Sequence, residues 1–332
     1  MVLNNIWFLL LIFLFGIYII LDGFKLGAGI IHLGLKSDGE RKLSLNALGP
    51  VQDFNEPWFI FAVISLFTAF PKIDYSNIIV LFLSILFLLI TRTISITLYK
   101  KLNSERWNKI LDIIFCLSSY IIVLIFGISL GNLISGIPLY NEKEFSGTFL
   151  TLLNPYSILT GITAVMFIRM YGKIYLVMNT EGEQQNYVSM DINSSLGMFV
   201  IAFLFHAIWT FIAYPVVNKN FIDFPVWFIL PAMIVLSIVV IPGFVRSQLY
   251  FRAFIASSAI LAFCVVITAV DIYPNLIISN PNPENSLTIF NAASSEQTLL
   301  TMLFICCILI PAMIVYKVFV YRKFKAKASN IK

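Results

Sequence analysis

Four ionisable residues stand in two short stretches of a chain that carries very few charges. The first stretch reads Leu21-Asp22-Gly23-Phe24-Lys25-Leu26-Gly27-Ala28-Gly29. Asp22 and Lys25 are three residues apart, so on a helix they share a face and can pair. Gly23, Gly27 and Gly29 leave a thin side against which another backbone can lie. The second stretch, from Asn46 to Trp58, carries Asp53 and Glu56, again three apart. Carboxylates at the start of a helix can simply complement its positive N-terminal end. Inside a membrane they are costly, and three of them on neighbouring helices make protonatable steps leading inward. The residues alone leave both roles open.

Other chemistry finds little support. The chain has two histidines, His32 and His206. That is too few for several haems, each of which needs axial ligands. His32 falls near the end of the first apolar run, where contact with water is expected. His206 lies mid-run in Phe205-His206-Ala207 and reads as a hydrogen-bonded core histidine. The four cysteines (Cys116, Cys264, Cys306 and Cys307) all sit in apolar runs without a C-x-x-C pair, as small buried hydrophobes do. No Walker A loop, H-E-x-x-H or nucleophile elbow occurs. Lys and Arg form no basic stripe on a polar domain, so nucleic acid is not an expected partner.

The elements that must position these residues follow from composition. Of 332 residues, 59% are apolar and 12% charged, about half the charge of an average soluble domain. Mean hydropathy is +0.91. Apolar runs of spanning length recur at 5–33, 53–70, 77–99, 110–135, 156–178, 195–216, 224–243, 249–271 and 298–321. Turn residues punctuate them: Gly49-Pro50, Phe70-Pro71, Asn154-Pro155 and Asn280-Pro281-Asn282-Pro283. The expected fold is an all-α integral membrane protein of about nine transmembrane helices, forming a single transmembrane domain over 1–332. The run 6–21 lacks a basic leader and a small-x-small cleavage site, so it reads as a retained first helix.

Loop charge orients the bundle. With the N-terminus outside, seventeen of the 22 Lys and Arg residues fall on the cytoplasmic side, among them Arg169, Lys173 and Lys317. Lys72, Lys143 and Lys219 fall outside, while Lys25 and Arg92 lie within spans. This positive-inside bias puts the C-terminus in the cytoplasm. Two external stretches, 137–155 and 272–297, are long enough to form small caps against a partner subunit.

Four blocks of residues in order resemble one family. They are Leu21-Asp22-Gly23-Phe24-x-Leu26-Gly27-x-Gly29, with Glu40-Arg41, Gly49-Pro50, Asp53, Asn55-Glu56 and Trp58; Gly131-Asn132-Leu133 with Gly136-Ile137-Pro138; Leu153-Asn154-Pro155-Tyr156 with Gly161; and Ser286-Leu287-Thr288 through Thr298-Leu299 to Pro311 and Tyr316. Together they resemble subunit II of the cytochrome bd quinol oxidases across nearly the whole chain.

The resemblance implies a haem-free subunit of a bacterial inner-membrane complex. Its partner, subunit I, would carry haems b558, b595 and d, and the pair would oxidise quinol and reduce oxygen to water with protons from the cytoplasm. It leaves room for a bound quinone, membrane lipid and a small accessory subunit. Residue by residue, it places Asp22 and Asp53 on a proton route, with Glu56, Asn55 and Trp58 beside it and the tryptophan near an oxygen entrance. Four departures bear on that route. Phe54 replaces a glycine, and Lys25 replaces a second acidic residue. A cation at Lys25 that pairs with Asp22 makes it a poorer proton carrier. Arg92 keeps a basic position after helix three, whereas Thr97 and Tyr99 stand where a carboxylate and an arginine are usual.

Two other readings compete. A stand-alone transporter would use Asp22, Lys25, Asp53 and Glu56 at broken helices to bind a substrate or ion. A purely structural subunit would stabilise its partner and conduct nothing.

Overall fold

In a computed structural model the chain is almost wholly helical, and the structure describes residues 1–35, 37–48, 55–73, 75–102, 104–139, 145, 147–215 and 218–329. The helices are α1 (Val2–Ile31), α2 (Asp38–Leu48), α3 (Glu56–Ala69), α4 (Tyr75–Lys101), α5 (Glu105–Ser135), α6 (Pro155–Asn179), α7 (Glu183–Met190), α8 (Ile192–Ala213), α9 (Lys219–Asp223), α10 (Ile229–Arg246), α11 (Tyr250–Ile272) and α12 (Glu296–Ser329). Two short strands, β1 (Asn275–Ile277) and β2 (Leu287–Thr288), pair antiparallel in the last loop.

Long apolar runs become helices because lipid offers backbone N–H and C=O groups no partner, and a helix satisfies them internally. Among the described residues, eight helices are long and apolar enough to cross a membrane. They coincide with eight of the nine segments expected from sequence. The ninth, α3, is apolar but has 14 residues, about 21 Å at 1.5 Å per residue. It starts inside the bundle instead of at its end. Pro57 sits in its first turn, where the missing N–H costs nothing. Arg169, Lys173 and Lys317 belong to helices α6 and α12, not to the loops assigned from charge counting.

Helix α6 is the hub: 72% of its most apolar window is buried, against 11% for α12. It packs on α1, α5, α8 and α11. Its start is fixed by Asn154, whose Oδ1 accepts from the Ser157 N–H at 2.8 Å while Pro155 fills the first helical position. The α1–α6 crossing depends on Gly27 and Gly172. A Cβ on Gly27 would overlap the Ile168 carbonyl and lie 2.7 Å from the Gly172 nitrogen. Gly29 meets Ser119 of α5 in the same way. The thin side read from Gly27 and Gly29 is therefore a real contact face.

At the end of the bundle that holds the N-terminus, the two long loops bind each other. Ile137 N–H donates to the Ile278 carbonyl at 2.9 Å, and Asn280 N–H returns a bond to the Ile137 carbonyl at 3.0 Å. Leu139, Leu276, Leu287 and Ile289 build a second core there with Trp7, Phe8 and Phe70.

Candidate functional site

Asp22 is fully buried, on the 21st residue of the chain's first helix, about 30 Å along it at 1.5 Å per residue. Burying a carboxylate there without partners would be prohibitive, so the surrounding helices supply them. Lys25 Nζ lies 2.7 Å from Asp22 Oδ1, realising the pair that the i, i+3 spacing predicted. From α4, Arg92 Nη2 donates to Oδ2 at 2.9 Å and to Oδ1 at 3.2 Å. From the residue that precedes α3, Asn55 Nδ2 donates to Oδ1 at 3.3 Å and to the Leu21 carbonyl at 2.6 Å. Tyr18, one turn back on α1, adds its hydroxyl to Oδ2 at 3.4 Å. A carboxylate offers about four lone-pair positions, and these donors occupy them. Asp22 is therefore held from several helices at once.

Glu56 is placed differently. As the first residue of α3, it points one oxygen towards Arg92, with Oε1 3.5 Å from Nη2. That is an ion-pair distance but too long for a hydrogen bond. Oε1 is buried and has no hydrogen-bond partner among the described residues, while the side chain as a whole is 19% exposed. Glu56 therefore combines a buried, unbonded oxygen with a route to the outside of the cluster. Lys317 of α12 closes the far side, donating from Nζ to Asn55 Oδ1 at 2.7 Å. Two carboxylates thus face three cations among the described residues.

Trp58 is 2% exposed and packs in the main core. Asp53 lies outside the described residues, as do Gly49, Pro50, Gln52 and Phe54. Of the residues singled out from sequence, the structure brings Asp22, Lys25, Asn55 and Glu56 together. It adds three partners that were not singled out as site residues: Arg92, Tyr18 and Lys317. A lone arginine inside the run 77–99 was the available signal for Arg92. Lys317 carried none, because it reads as one of a basic tail.

A small cavity of about 10 Å³ adjoins the cluster. Lys25, Leu48, Arg92, Thr93, Ile96 and Phe115 line it.

Both histidines differ from expectation. His32 is fully buried, not wet. After α1 the chain tightens into a 3-10 turn, His32–Gly34, that tucks the ring against α5. There Nε2 lies 2.8 Å from Asp112 Oδ1, and the ring meets Phe115 edge-on at 5.2 Å. His206 stacks on Tyr156, with ring centroids 5.1 Å apart, and its Nε2 has no hydrogen-bond partner among the described residues. No group of three or more His, Cys, Asp or Glu among the described residues is arranged to hold a metal ion.

A multi-pass helical membrane protein with a buried ion cluster at the start of a short helix is the class these features define. Residues 3–324 match the family model for cytochrome bd terminal oxidase subunit II, and the chain belongs to that family. It is 28% identical to cytochrome bd-I ubiquinol oxidase subunit 2 of Escherichia coli K12 over 358 aligned positions, covering 97% of this chain and 94% of that protein. It is 25% identical to cytochrome bd ubiquinol oxidase subunit 2 of Bacillus subtilis 168, covering 99% and 97%. The fold is shared with a chain in the bd oxidase structure from Geobacillus thermodenitrificans, with a TM-score of 0.72 at 19% identity, covering 100% of this chain and 98% of that one. Family membership makes this chain a subunit of a bd-type quinol oxidase and implies subunit I as its partner.

Proposed function

We propose that the chain is the haem-free subunit of a bacterial inner-membrane quinol oxidase, carrying part of the path by which protons reach the oxygen-reducing haems of subunit I. The family match over 3–324 carries the subunit assignment. The buried cluster supports the proton path, because ionisable groups deep in an apolar bundle are retained there for a function. The haems of subunit I supply the oxygen chemistry; this chain's residues hold and pass protons.

Within that path the carboxylates have different roles. Asp22 is the fixed anion that lets Lys25 and Arg92 stay charged inside the bundle. Glu56 is the exchanging group: its Oε1, buried and without a hydrogen-bond partner among the described residues, takes up and releases the proton 3.5 Å from Arg92. Asp53, three residues before Glu56, belongs to the same path on its sequence position. Asn55 and Lys317 hold the start of α3 against α1 and α12, which sets where Glu56 stands. Trp58, two residues on, is buried in the main core.

Purifying the tagged chain in mild detergent tests the assignment. Visible bands of haems b and d should accompany a second membrane subunit. A colourless chain that copurifies with nothing would overturn it. Glu56→Gln tests the exchanging role: quinol-driven oxygen uptake per haem should fall by about 10-fold or more, with unaltered haem bands. Unchanged uptake would remove Glu56 from the path.

A further inference from the structure

Away from the Asp22 cluster, two cations of the hub helix α6 share one carboxylate. Lys173 is 4% exposed, and its Nζ donates to Asp191 Oδ2 and, at 2.6 Å, to Ser195 Oγ of α8. Arg169, one turn earlier on α6, has Nη2 3.8 Å from the same Asp191 oxygen, an ion-pair distance too long for a hydrogen bond. Lys173 is thus well partnered, and Arg169 is not. A guanidinium carries five N–H donors, and that of Arg169 makes no hydrogen bond among the described residues. Its side chain is 42% exposed, although α6 is mostly buried. Asp191 is the one carboxylate that either cation pairs with among the described residues, so one positive charge is left facing outward.

The length of α8 sets the level of that charge. Its 22 residues measure about 33 Å at 1.5 Å per residue, close to the thickness of the hydrocarbon layer. Asp191, immediately before α8, therefore stands at a headgroup boundary, and the Arg169 guanidinium reaches the same level beside it. The loop-charge bias expects this boundary to be the cytoplasmic one. From Asp191 inward, Ser194, Gly197, Ile201, Phe205 and Ile208 follow at spacings of three and four, which puts them on one stripe of α8. Ser194 and Gly197 are exposed, and nothing lies within 4 Å of a Cβ built on Gly197. Ile201 is 72% exposed, and Phe205 and Ile208 are 58% exposed. The surface thus runs from a cation, through a small open step, to an apolar track.

We propose that Arg169 binds the phosphate of an anionic phospholipid whose acyl chain lies along Ile201, Phe205 and Ile208 of α8. The planar guanidinium matches a phosphate with two parallel N–H bonds, which a single distant carboxylate oxygen does not supply. Lys173 and Ser195 hold Asp191 and the start of α8 against α6, and this fixes the gap into which Arg169 points. A lipid with a net negative headgroup balances the spare cation, whereas a zwitterionic one brings a cation of its own. The apolar track selects a lipid over free phosphate, which would fill only the polar end. This site is independent of the proton path.

The test uses the purified, haem-containing complex, stripped of loosely held lipid in detergent. It is titrated with phosphatidylglycerol, with phosphatidylcholine of the same acyl chains, and with inorganic phosphate, and native mass spectrometry counts the lipid bound. The unmodified complex should take phosphatidylglycerol at least about 10-fold more tightly than phosphatidylcholine, and Arg169→Gln should erase that preference at one site. Arg169→Lys, which keeps the charge and loses the fork, should fall between the two. Phosphatidylglycerol binding by Arg169→Gln that equals the unmodified complex would overturn the site. Equal binding of the two lipids would reduce it to ordinary bilayer contact. Displacement of the lipid by inorganic phosphate would make it a small-anion site instead. A complex that binds neither lipid because subunit I covers Arg169 would also sink the proposal. If Arg169→Gln fails to assemble, Arg169→Lys decides: weakened phosphatidylglycerol binding with intact haem bands supports the site, and unchanged binding refutes it.

Discussion

At the scale of single residues, the acidic positions divide by what surrounds them. Asp22 is bound by an ammonium, a guanidinium, an amide and a phenol, so it organises the charges around it. Its removal takes the 2.7 Å partner from Lys25 and leaves Arg92 only the longer contact to Glu56 among its ion pairs at the described residues. Asp22→Asn should therefore destabilise the subunit by about 3–5 kcal/mol, the usual cost of breaking one partner out of a buried ion pair. Thermal unfolding of the detergent-solubilised complex would show it as a lowered transition. Adding Lys25→Met should recover part of the loss, because one unmatched charge leaves with the anion. A single Asp22→Asn variant that melts with the unmodified complex would show that the cluster is not held by Asp22. The basic residue at position 25, where the family resemblance leads one to expect an acid, is then explained as Asp22's local counter-charge.

At the scale of elements, the site depends on how closely helices can approach. The crossing of α1 and α6 at Gly27 and Gly172 brings their backbones together, and this fixes the rotation of α1 that turns Asp22 and Lys25 inward. Gly27→Leu should abolish assembly, since its first side-chain atom already meets main chain that has no room to move. The contrast is Gly197 on α8, which has nothing within 4 Å of a built Cβ. Gly197→Ala should assemble and turn over normally, and copurified haem per mole of chain measures both. The brevity of α3 matters equally. Because it begins at Glu56, inside the bundle, its N-terminal end faces Asp22 and Arg92 instead of water.

At the scale of the whole molecule, the two ends differ. One is capped by paired loops, 137–139 on 275–289, with their own apolar core. The other gathers α2, the start of α5 and the basic C-terminal segment of α12. The charge bias expects that second end to face the cytoplasm, which is also where the proton path needs its entrance. A C-terminal fluorescent-protein fusion should fluoresce in cells, whereas a C-terminal alkaline phosphatase fusion should be inactive. The opposite pair of results would invert the bundle and place the entrance on the wrong side for the proposed path.

The ionisable residues of α1 and α3 with which the sequence opens were legible as a site because charge is rare in this chain and hydrocarbon tolerates so little of it. The helical class and eight of the spans were legible for a related reason: lipid enforces apolar runs of a fixed minimum length. Pairing of Asp22 with Lys25 was legible because it is local, one turn of one helix. What the tertiary structure alone decided was non-local. Arg92, Lys317 and Asn55 reach Asp22 or its neighbours from α4, α12 and the start of α3, and nothing in their spacing records that meeting. His32 reads as a water-facing residue until the turn after α1 folds it onto Asp112, 80 positions away. Sequence shows which groups are too costly to bury alone; only packing shows which partners make burial tolerable.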